Sequence, residues 1–484
     1  MQRIDFCLRH ALYGIEATRR METLAQTGLP PHTLMQRAGL ALAQLSMAIA
    51  PHSRRIWVAC GAGNNGGDGL EAAAHLSKWG KSAVVNWLGA PDTVPTDAAA
   101  SYRRARAAGA QFAESPPSDF DFCIDALLGV GANRPPDGLM ADWIKRINAS
   151  SAMVLAVDMP SGLHSDTGAA MQHCVKADHT LSLLALKPGL FTADGKDHAG
   201  VVWLDDLAAS KVRCADENLV APDAWLPGAP VQTRRIHASH KGSYGDVAVV
   251  GGASGMTGAA LLAASAALHS GAGRVFVGLL QPGAATVDTQ LPELMFRSIE
   301  SLDFRLMTVV AGCGGGDAIL DSLARILSTS ARLVIDADAI NAISNDTQLQ
   351  TLLRQRASRQ QSTVLTPHPL EAARLMGGNA EQVQNDRLRT VGALVQRFGC
   401  TVVLKGSGTV ISAPGQTPVI NPTGNGRLAT AGTGDVLAGM IGAGLAAHKS
   451  SFMAACEAVY RHGLRADLWP VDTPLTARSL SQAG

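Results

Sequence analysis

Short continuous apolar runs alternate along the chain with stretches whose apolar residues recur at helical spacing. In the first half the runs Ile56–Cys60, Ala83–Leu88, Phe120–Ile124 and Met153–Val157 predict strands buried on both faces. Helical patterns over Leu70–Trp79 and Ala98–Ala108 lie between them, and a helical segment over roughly residues 10–50 precedes the first run. This alternation predicts a parallel sheet covered by helices on both faces. Near 215–238 the pattern breaks at Pro222, Pro227, Pro230 and their polar neighbours, which reads as a linker. A second series starts at Asp246–Val250 and continues through Arg274–Leu279, Met307–Ala311, Arg332–Ile335, Thr363–Leu365 and Thr401–Leu404. Two long helices, about 433–446 and 452–463, are expected to close the chain. The expected organisation is an α/β protein of two three-layer αβα domains, over 1–225 and 238–484, joined by a linker over 226–237. Neither an internal repeat nor a low-complexity segment is visible.

Composition narrows the function. Hydrophobic residues make up 46% of the 484, enough for two large cores. Lys+Arg 41 against Asp+Glu 40 leaves a net charge of +1, which disfavours nucleic acid as a main partner. The 50 glycines gather in short clusters after apolar runs, as tight turns and phosphate loops do. Of the eight cysteines no two stand in a C-x-x-C spacing, so they read as reduced, mostly buried thiols of a cytoplasmic protein. Charges at Arg3, Asp5 and Arg9 leave no apolar signal-peptide core. No stretch reaches the ~18 apolar residues of a membrane span, so no membrane partner is expected.

Two glycine-rich segments carry candidate chemistry. Gly61–Gly69, reading Gly-Ala-Gly-Asn-Asn-Gly-Gly-Asp-Gly, follows a strand and opens a helix, where free N–H groups attract phosphate. It fits the spacing of a dinucleotide fingerprint, but the next strand ends in Gly89 and Ala90 instead of an acid, which disfavours a nicotinamide oxidoreductase. Asp125 and Asp158, with Ser161 three residues on, are placed just beyond two buried strands, where carboxylates converge on the crevice of a parallel sheet. In the second half, Ala431-Gly-Thr-Gly-Asp435 starts a helix of small apolar residues. Its N–H groups suit phosphate oxygens, and Asp435 stands where a carboxylate can take a hydroxyl proton during phosphoryl transfer. Each acid also has a plain structural reading as a helix N-cap.

The motifs resemble a known pair of domains. Leu34-Met-Gln-Arg-Ala-Gly39, the Gly-Asn loop, Asp125-Ala-Leu-Leu-Gly129, Asp158-Met-Pro-Ser-Gly162 and Lys187-Pro-Gly-Leu190 make residues ~30–210 similar to the NAD(P)H-hydrate epimerase domain, a Rossmann-like fold. Residues ~238–470 resemble the ADP/ATP-dependent NAD(P)H-hydrate dehydratase, a ribokinase-like fold. The matching segments are Gly251–Ala260, Pro292–Met295, Asp336–Asn341, Thr366-Pro-His-Pro369 with Glu371, Leu404–Thr409 and the Gly-Thr-Gly-Asp motif. Three turns depart from that pattern: Gly312-Cys-Gly-Gly-Gly316 for Gly-Pro-Gly-Leu-Gly, Leu370 where a glycine is usual, and Asn425-Gly-Arg-Leu428 for Asn-Pro-Gly-Met.

The resemblance implies roles residue by residue. Asn64, Asn65, Gly66, Gly67 and Asp68, with Gly129, Val130, Gly131, Ala132, Asn133, Arg134 and Pro135, would cradle the hydrated dinucleotide. Asp158 would touch the modified nicotinamide ring and act as acid/base, and Asn65, Asp125 and Ser161 would hold a potassium ion. In the second domain Lys405, Gly406, Ser407, Gly408, Thr409 and Gly434 would bind ADP or ATP with its Mg²⁺. Ala260, Gly316, His368 and Asp435 would contact the hydrate, Asp435 as catalytic base. The implied activity is repair of NADH hydrate and NADPH hydrate, and self-association into a homo-oligomer is expected. A ribokinase-class small-molecule kinase fused to a dinucleotide-binding domain shares the Gly-Thr-Gly-Asp motif, and a non-catalytic dinucleotide sensor shares the Gly-Asn loop. A P-loop ATPase is excluded by His75 where Gly80-Lys81-Ser82 would need its first glycine.

Overall fold

The computed structural model describes residues 1–132, 134–209, 220–231, 234–283 and 286–483. Asn133, expected in the substrate cradle, and Cys214 lie outside the described residues. The chain forms two compact units, Met1–Asp5 with His10–Trp225, and Phe6–Arg9 with Leu226–Gly484. A short strand, Ala224–Leu226, occupies part of the stretch that proline spacing marks as structureless.

In the first unit the sheet runs in the order Gln2–Arg3, Val201–Asp205, His179–Leu183, Met153–Val157, Phe122–Ala126, Arg55–Cys60, Ser82–Trp87, Gln111–Phe112. All neighbours are parallel except the first pair, which is antiparallel. The alternation of side chains across a strand explains the layers. Ile56, Val58 and Cys60 join Leu70, Leu76 and Leu42 in one core. Trp57 and Ala59 join Trp143, Ile144 and Ile147 in another. Helices Thr33–Ile49 and Asn64–Lys78 thus cover one face and Gly138–Ala149 the other. After the edge strand Gln2–Arg3, the parallel strands start at Arg55–Cys60, build outward to Gln111–Phe112, then cross to Phe122–Ala126 and build the other way. The order reverses between these two central strands, which is where an open parallel sheet leaves a ligand crevice.

The second unit repeats the logic. Its sheet runs Met295–Phe296, Arg274–Leu279, Asp246–Gly251, Thr308–Ala311, Arg332–Ile335, Ser362–Leu365, Thr401–Leu404, Val410–Ser412, Val419–Ile420. Pairings are parallel up to Thr401–Leu404 and antiparallel beyond it. Here the reversal falls between Asp246–Gly251 and Thr308–Ala311. Helix Thr433–Ala446 is apolar on every side, as a helix buried between sheet and helices must be. Its glycines set the spacing. A Cβ on Gly439 would stand 2.0 Å from the Ala263 carbonyl oxygen of helix Thr257–His269, and one on Gly442 would stand 2.5 Å from Val310 on the sheet.

Four expectations are corrected. Val201–Asp205 and His179–Leu183, the latter concealed in the sequence by polar residues, are further strands. The helix expected over Leu70–Trp79 starts earlier, at Asn64, so that Asn64–Asp68 form its first turns. Asp125 lies within its strand, not past its end. The chain closes on a short third helix, Ala477–Gln482, after Ser451–Asp467.

Candidate active sites

The crevice of the first unit holds a cavity of ≈ 580 Å³, lined among others by Asn64, Asn65, Asp68, Gly129, Val130, Gly131, Ala132 and Asp158. Close backbone approach shapes it. A Cβ on Gly61 would lie 1.9 Å from the Leu127 carbonyl oxygen, and one on Gly66 would lie 1.9 Å from that of Gly61, so both positions require glycine. Gly67 is buried against Met35, beneath the cavity. Arg134 and Pro135 are exposed and stand outside its lining.

Asp158 follows its strand with φ +65, a left-handed conformation that a non-glycine residue adopts only under constraint. The constraint is visible. Its amide donates to the Leu181 carbonyl (2.8 Å), and its Oδ1 accepts from the Leu183 amide (2.9 Å) and the Lys187 ammonium. Lys187 is fully buried and also donates to Ser182 Oγ (3.3 Å) and the Leu183 carbonyl (2.9 Å). Sequence reasoning places Lys187 in a motif but gives it no task. The available signal is a single charge inside the apolar run 181–191, since a lysine is buried only with a partner.

Asp125 and Ser161 meet directly. Ser161 donates to Asp125 through Oγ (2.6 Å) and its amide (2.8 Å), and Ser161 Oγ accepts from the Leu128 amide (2.9 Å). Burial pushes the Asp125 carboxyl up to about 6, against the pull of these donors. Asn65 packs against Gly129, and its buried Nδ2 finds no partner among the described residues. Three further carboxylates face the cavity: Glu22, Asp68 and Asp97. Burial, reinforced by Asp158 and Glu22, holds Asp68 well above the ordinary carboxylate range. Burial and Asp158 raise Glu22 as well.

In the second unit the motif residues follow the C-terminal ends of neighbouring parallel strands: Asp336 follows Arg332–Ile335, Glu371 follows Ser362–Leu365 and Lys405 follows Thr401–Leu404. Gly432 is the N-cap of helix Thr433–Ala446 in left-handed conformation (φ +88), which makes Asp435 the third helical residue instead of the cap. Burial, then the charge of Asp336, pushes the Asp435 carboxyl up to about 7, while the Cys313 thiol and Lys405 draw it down. Lys405 donates to Asp336 Oδ1 at 2.6 Å and stands 3.9 Å from Glu371. Asp336, 1% exposed, also accepts from Thr366 Oγ1 (2.7 Å). A Cβ on Gly434 would lie 3.4 Å from Lys405 Nζ, so the lysine reaches the start of helix Thr433–Ala446. Behind the turn, the buried Arg387 donates to the Leu404 and Lys405 carbonyls (3.0 and 3.1 Å), and a Cβ on Gly406 would strike its guanidinium. Thr409 closes the turn by donating to the Gly406 carbonyl (3.0 Å).

Gly316 (φ +49) donates to Asp338 Oδ2 at 2.9 Å. His368 caps helix Pro369–Met376. Its Nδ1 accepts from the Leu370 and Glu371 amides, and Glu371 Oε2 accepts the His368 amide in return (2.7 Å). Half of the imidazole stays accessible beyond that structural task. Ala260 has no accessible surface and packs against Gly252, so it shapes the wall from behind. Asp336, Thr366 and Glu371 are further site residues to which sequence reasoning gives no role. The ligand atoms of Cys313, Asp336 and Asp435 lie within 4.8 Å of one another.

The chain matches two family models, one described as YjeF-related protein N-terminus over residues 31–189 and one as NAD(P)H-hydrate dehydratase over 247–483. It is 34% identical over 493 residues to the bifunctional NAD(P)H-hydrate repair enzyme of Escherichia coli, covering 97% of this chain and 91% of that one. With the Coxiella burnetii protein of the same description it shares 35% over 473 residues, 94% of each chain. Among solved structures, the ADP/ATP-dependent NAD(P)H-hydrate dehydratase from Bacillus subtilis, co-crystallised with ATP and Mg²⁺, is 30% identical with a TM-score of 0.43, covering 51% of this chain and 90% of that one. Since the likeness to the full-length relatives runs through both units, each with its own carboxylate-bearing crevice, the chain belongs to the family of bifunctional NAD(P)H-hydrate repair enzymes.

Proposed function

We propose that the first unit interconverts the R and S forms of NADH hydrate and NADPH hydrate, and that the second returns the S form to NADH or NADPH at the expense of ADP or ATP. The observation that carries this reading is Asp435. It is a carboxylate raised to about 7 at the N-terminus of a buried helix, with a lysine beside it and a glycine turn next to the lysine. A general base works best with a pKa near the operating pH. The C6 hydroxyl gives its proton to Asp435 as its oxygen bonds to the terminal phosphorus and the bond from phosphorus to the nucleotide breaks. Phosphate then leaves with the electrons of the C6–O bond, and loss of a C5 proton forms the C5–C6 double bond. Free N–H groups at the helix start, the 405–409 turn and Lys405 stabilise the charge on the transferred phosphoryl group.

Two ions belong to this reading. The first unit offers a monovalent cation the Asp125 carboxylate, the Ser161 hydroxyl and the amide of Asn65. A buried acid with no cation beside it among the described residues is what a resident potassium ion would relieve, and Asn65 would add its amide oxygen. The ion would fix the floor of the cavity under the dinucleotide. In the second unit the group of Cys313, Asp336 and Asp435 contains a thiol, and Lys405 already occupies Asp336. This is a poor cage for Mg²⁺, which prefers oxygen ligands and substrate phosphates, so Mg²⁺ would arrive on the nucleotide.

The test is absorbance at 340 nm with an epimer mixture of NADH hydrate, Mg²⁺ and ADP or ATP. Full recovery of NADH that depends on nucleotide supports both activities and identifies the phosphate donor. Recovery that stops at the S fraction removes the epimerase reading. A stable phosphorylated product instead of NADH would assign the second unit to the small-molecule kinases.

A further inference from the structure

Inverting a carbinol centre by losing and regaining water needs two proton-transfer groups of opposite state. One must give a proton to the departing hydroxyl, and the other must take one from the incoming water on the opposite face of the ring. Asp158 can serve as only one of them. It is bound to a fully buried ammonium, so it is the anionic member of an ion pair. The cavity holds a carboxyl group in the complementary situation. Asp68 stands in the second turn of helix Asn64–Lys78 and lines the same cavity as Asp158 from a different element.

The groups around Asp68 are almost all of its own sign. Glu22 comes from helix Ile15–Gln26, Asp97 from helix Thr96–Ala107, Glu71 from its own helix and Asp158 from the sheet edge. The cations in reach are committed or set apart. Lys187 is bonded to Asp158, and Arg104 is bonded to Glu71 at 2.7 Å. Arg19 lines the cavity but exerts its pull on Glu22. Among the described residues no salt bridge includes Asp68. Burial in acidic company favours the neutral acid, as in enzymes that separate the roles of two carboxyl groups by environment.

We propose that Asp68 is the second catalytic residue of the epimerase site, the proton donor that works opposite the anionic Asp158. The inference rests on the epimerase reading above. In the R-to-S direction the N1 lone pair expels the C6 oxygen, Asp68 supplies the proton that makes it water, and an N1=C6 iminium remains. Water then adds to the other face of C6 and gives its proton to Asp158. The ring regains its hydroxyl, one proton has moved from Asp68 to Asp158 through the two waters, and no oxidant or reductant is consumed. The S-to-R direction runs with the two roles exchanged.

The experiment follows inversion of purified R epimer in H₂¹⁸O without nucleotide, using wild type, Asp68→Asn and Asp68→Ala. The expected wild-type result is one solvent oxygen taken up at C6 per inversion. Asp68→Asn is close in shape to the neutral acid and should keep the fold, with inversion lowered on the order of 10²–10⁴. Asp68→Ala should be as slow and should recover with added formate, which enters the space left by the side chain. Inversion by wild type without oxygen uptake would overturn the proposal in favour of ring opening. Unchanged turnover by Asp68→Asn would overturn it too, as would an inactive Asp68→Ala that formate does not restore. Wild type that fails to invert the substrate at all would sink the epimerase reading itself, which separates the two failures.

Discussion

Replacing Asp435 with asparagine removes the proposed base and, by the same physics, relieves the fold of a costly charge. In the folded chain the carboxyl is raised from 3.8 to about 7, mainly by burial. Below pH ~4 it is protonated in both folded and unfolded states, and the site is neutral with respect to stability. Between ~4 and ~7 the unfolded chain has released a proton that the folded chain still holds, so stability falls as pH rises, and above ~7 the deficit is complete. Roughly three units at 1.36 kcal/mol each set a ceiling of about 4 kcal/mol, and partial contact of the carboxylate with solvent in the open site brings this to about 1–3 kcal/mol. Asp435→Asn should therefore gain that amount over wild type at pH 8, much less at pH 5, and lose dehydration rate by about 10²–10⁴. Urea unfolding of the second unit at the two pH values, beside NADH recovery from S hydrate, measures both. A variant that keeps its turnover, or gains no more stability at pH 8 than at pH 5, would refute the assignment of Asp435 as a desolvated base.

Lys405→Met leaves Asp336 buried without its ammonium and should cost about 3–5 kcal/mol of stability, with Asp336→Asn added to it restoring most of the loss in the same urea titration. Gly439→Ala forces a methyl group against the Ala263 carbonyl oxygen. It should destabilise by about 1–3 kcal/mol and slow dehydration by moving helix Thr433–Ala446, with inversion unaffected when both are assayed on one preparation. Exchange of potassium for choline should slow inversion and spare dehydration, and equal rates in the two salts would remove the ion from the first site.

The parts of the fold legible in the sequence are those buried on both faces. Met153–Val157, Arg332–Ile335 and Thr401–Leu404 carry continuous apolar runs and form strands with those bounds. His179–Leu183 was concealed because His179, Thr180 and Ser182 interrupt the run, although Thr180 and Ser182 are fully buried and donate to the Ala199 and Ala185 carbonyls. The site divides in the same way. Asp158 and Asp435 stand out because a carboxylate at a strand end or a glycine-rich helix start is a local pattern. The bonds from Lys187 to Asp158 and from Lys405 to Asp336 span 29 and 69 residues, and no local pattern records which charge will meet which.

The strand order has a consequence for how the molecule comes into being. In each unit the two strands at the order reversal are neighbours in space but lie far apart along the chain, with the two strands of one arm of the sheet between them. During synthesis the first half can assemble locally as soon as it emerges, whereas the crevice closes only when the later strands dock on the earlier edge, a slow, non-local step. Catalytic competence is thus the last property that each unit acquires, and a nascent or truncated chain can be largely folded before it can touch its substrate.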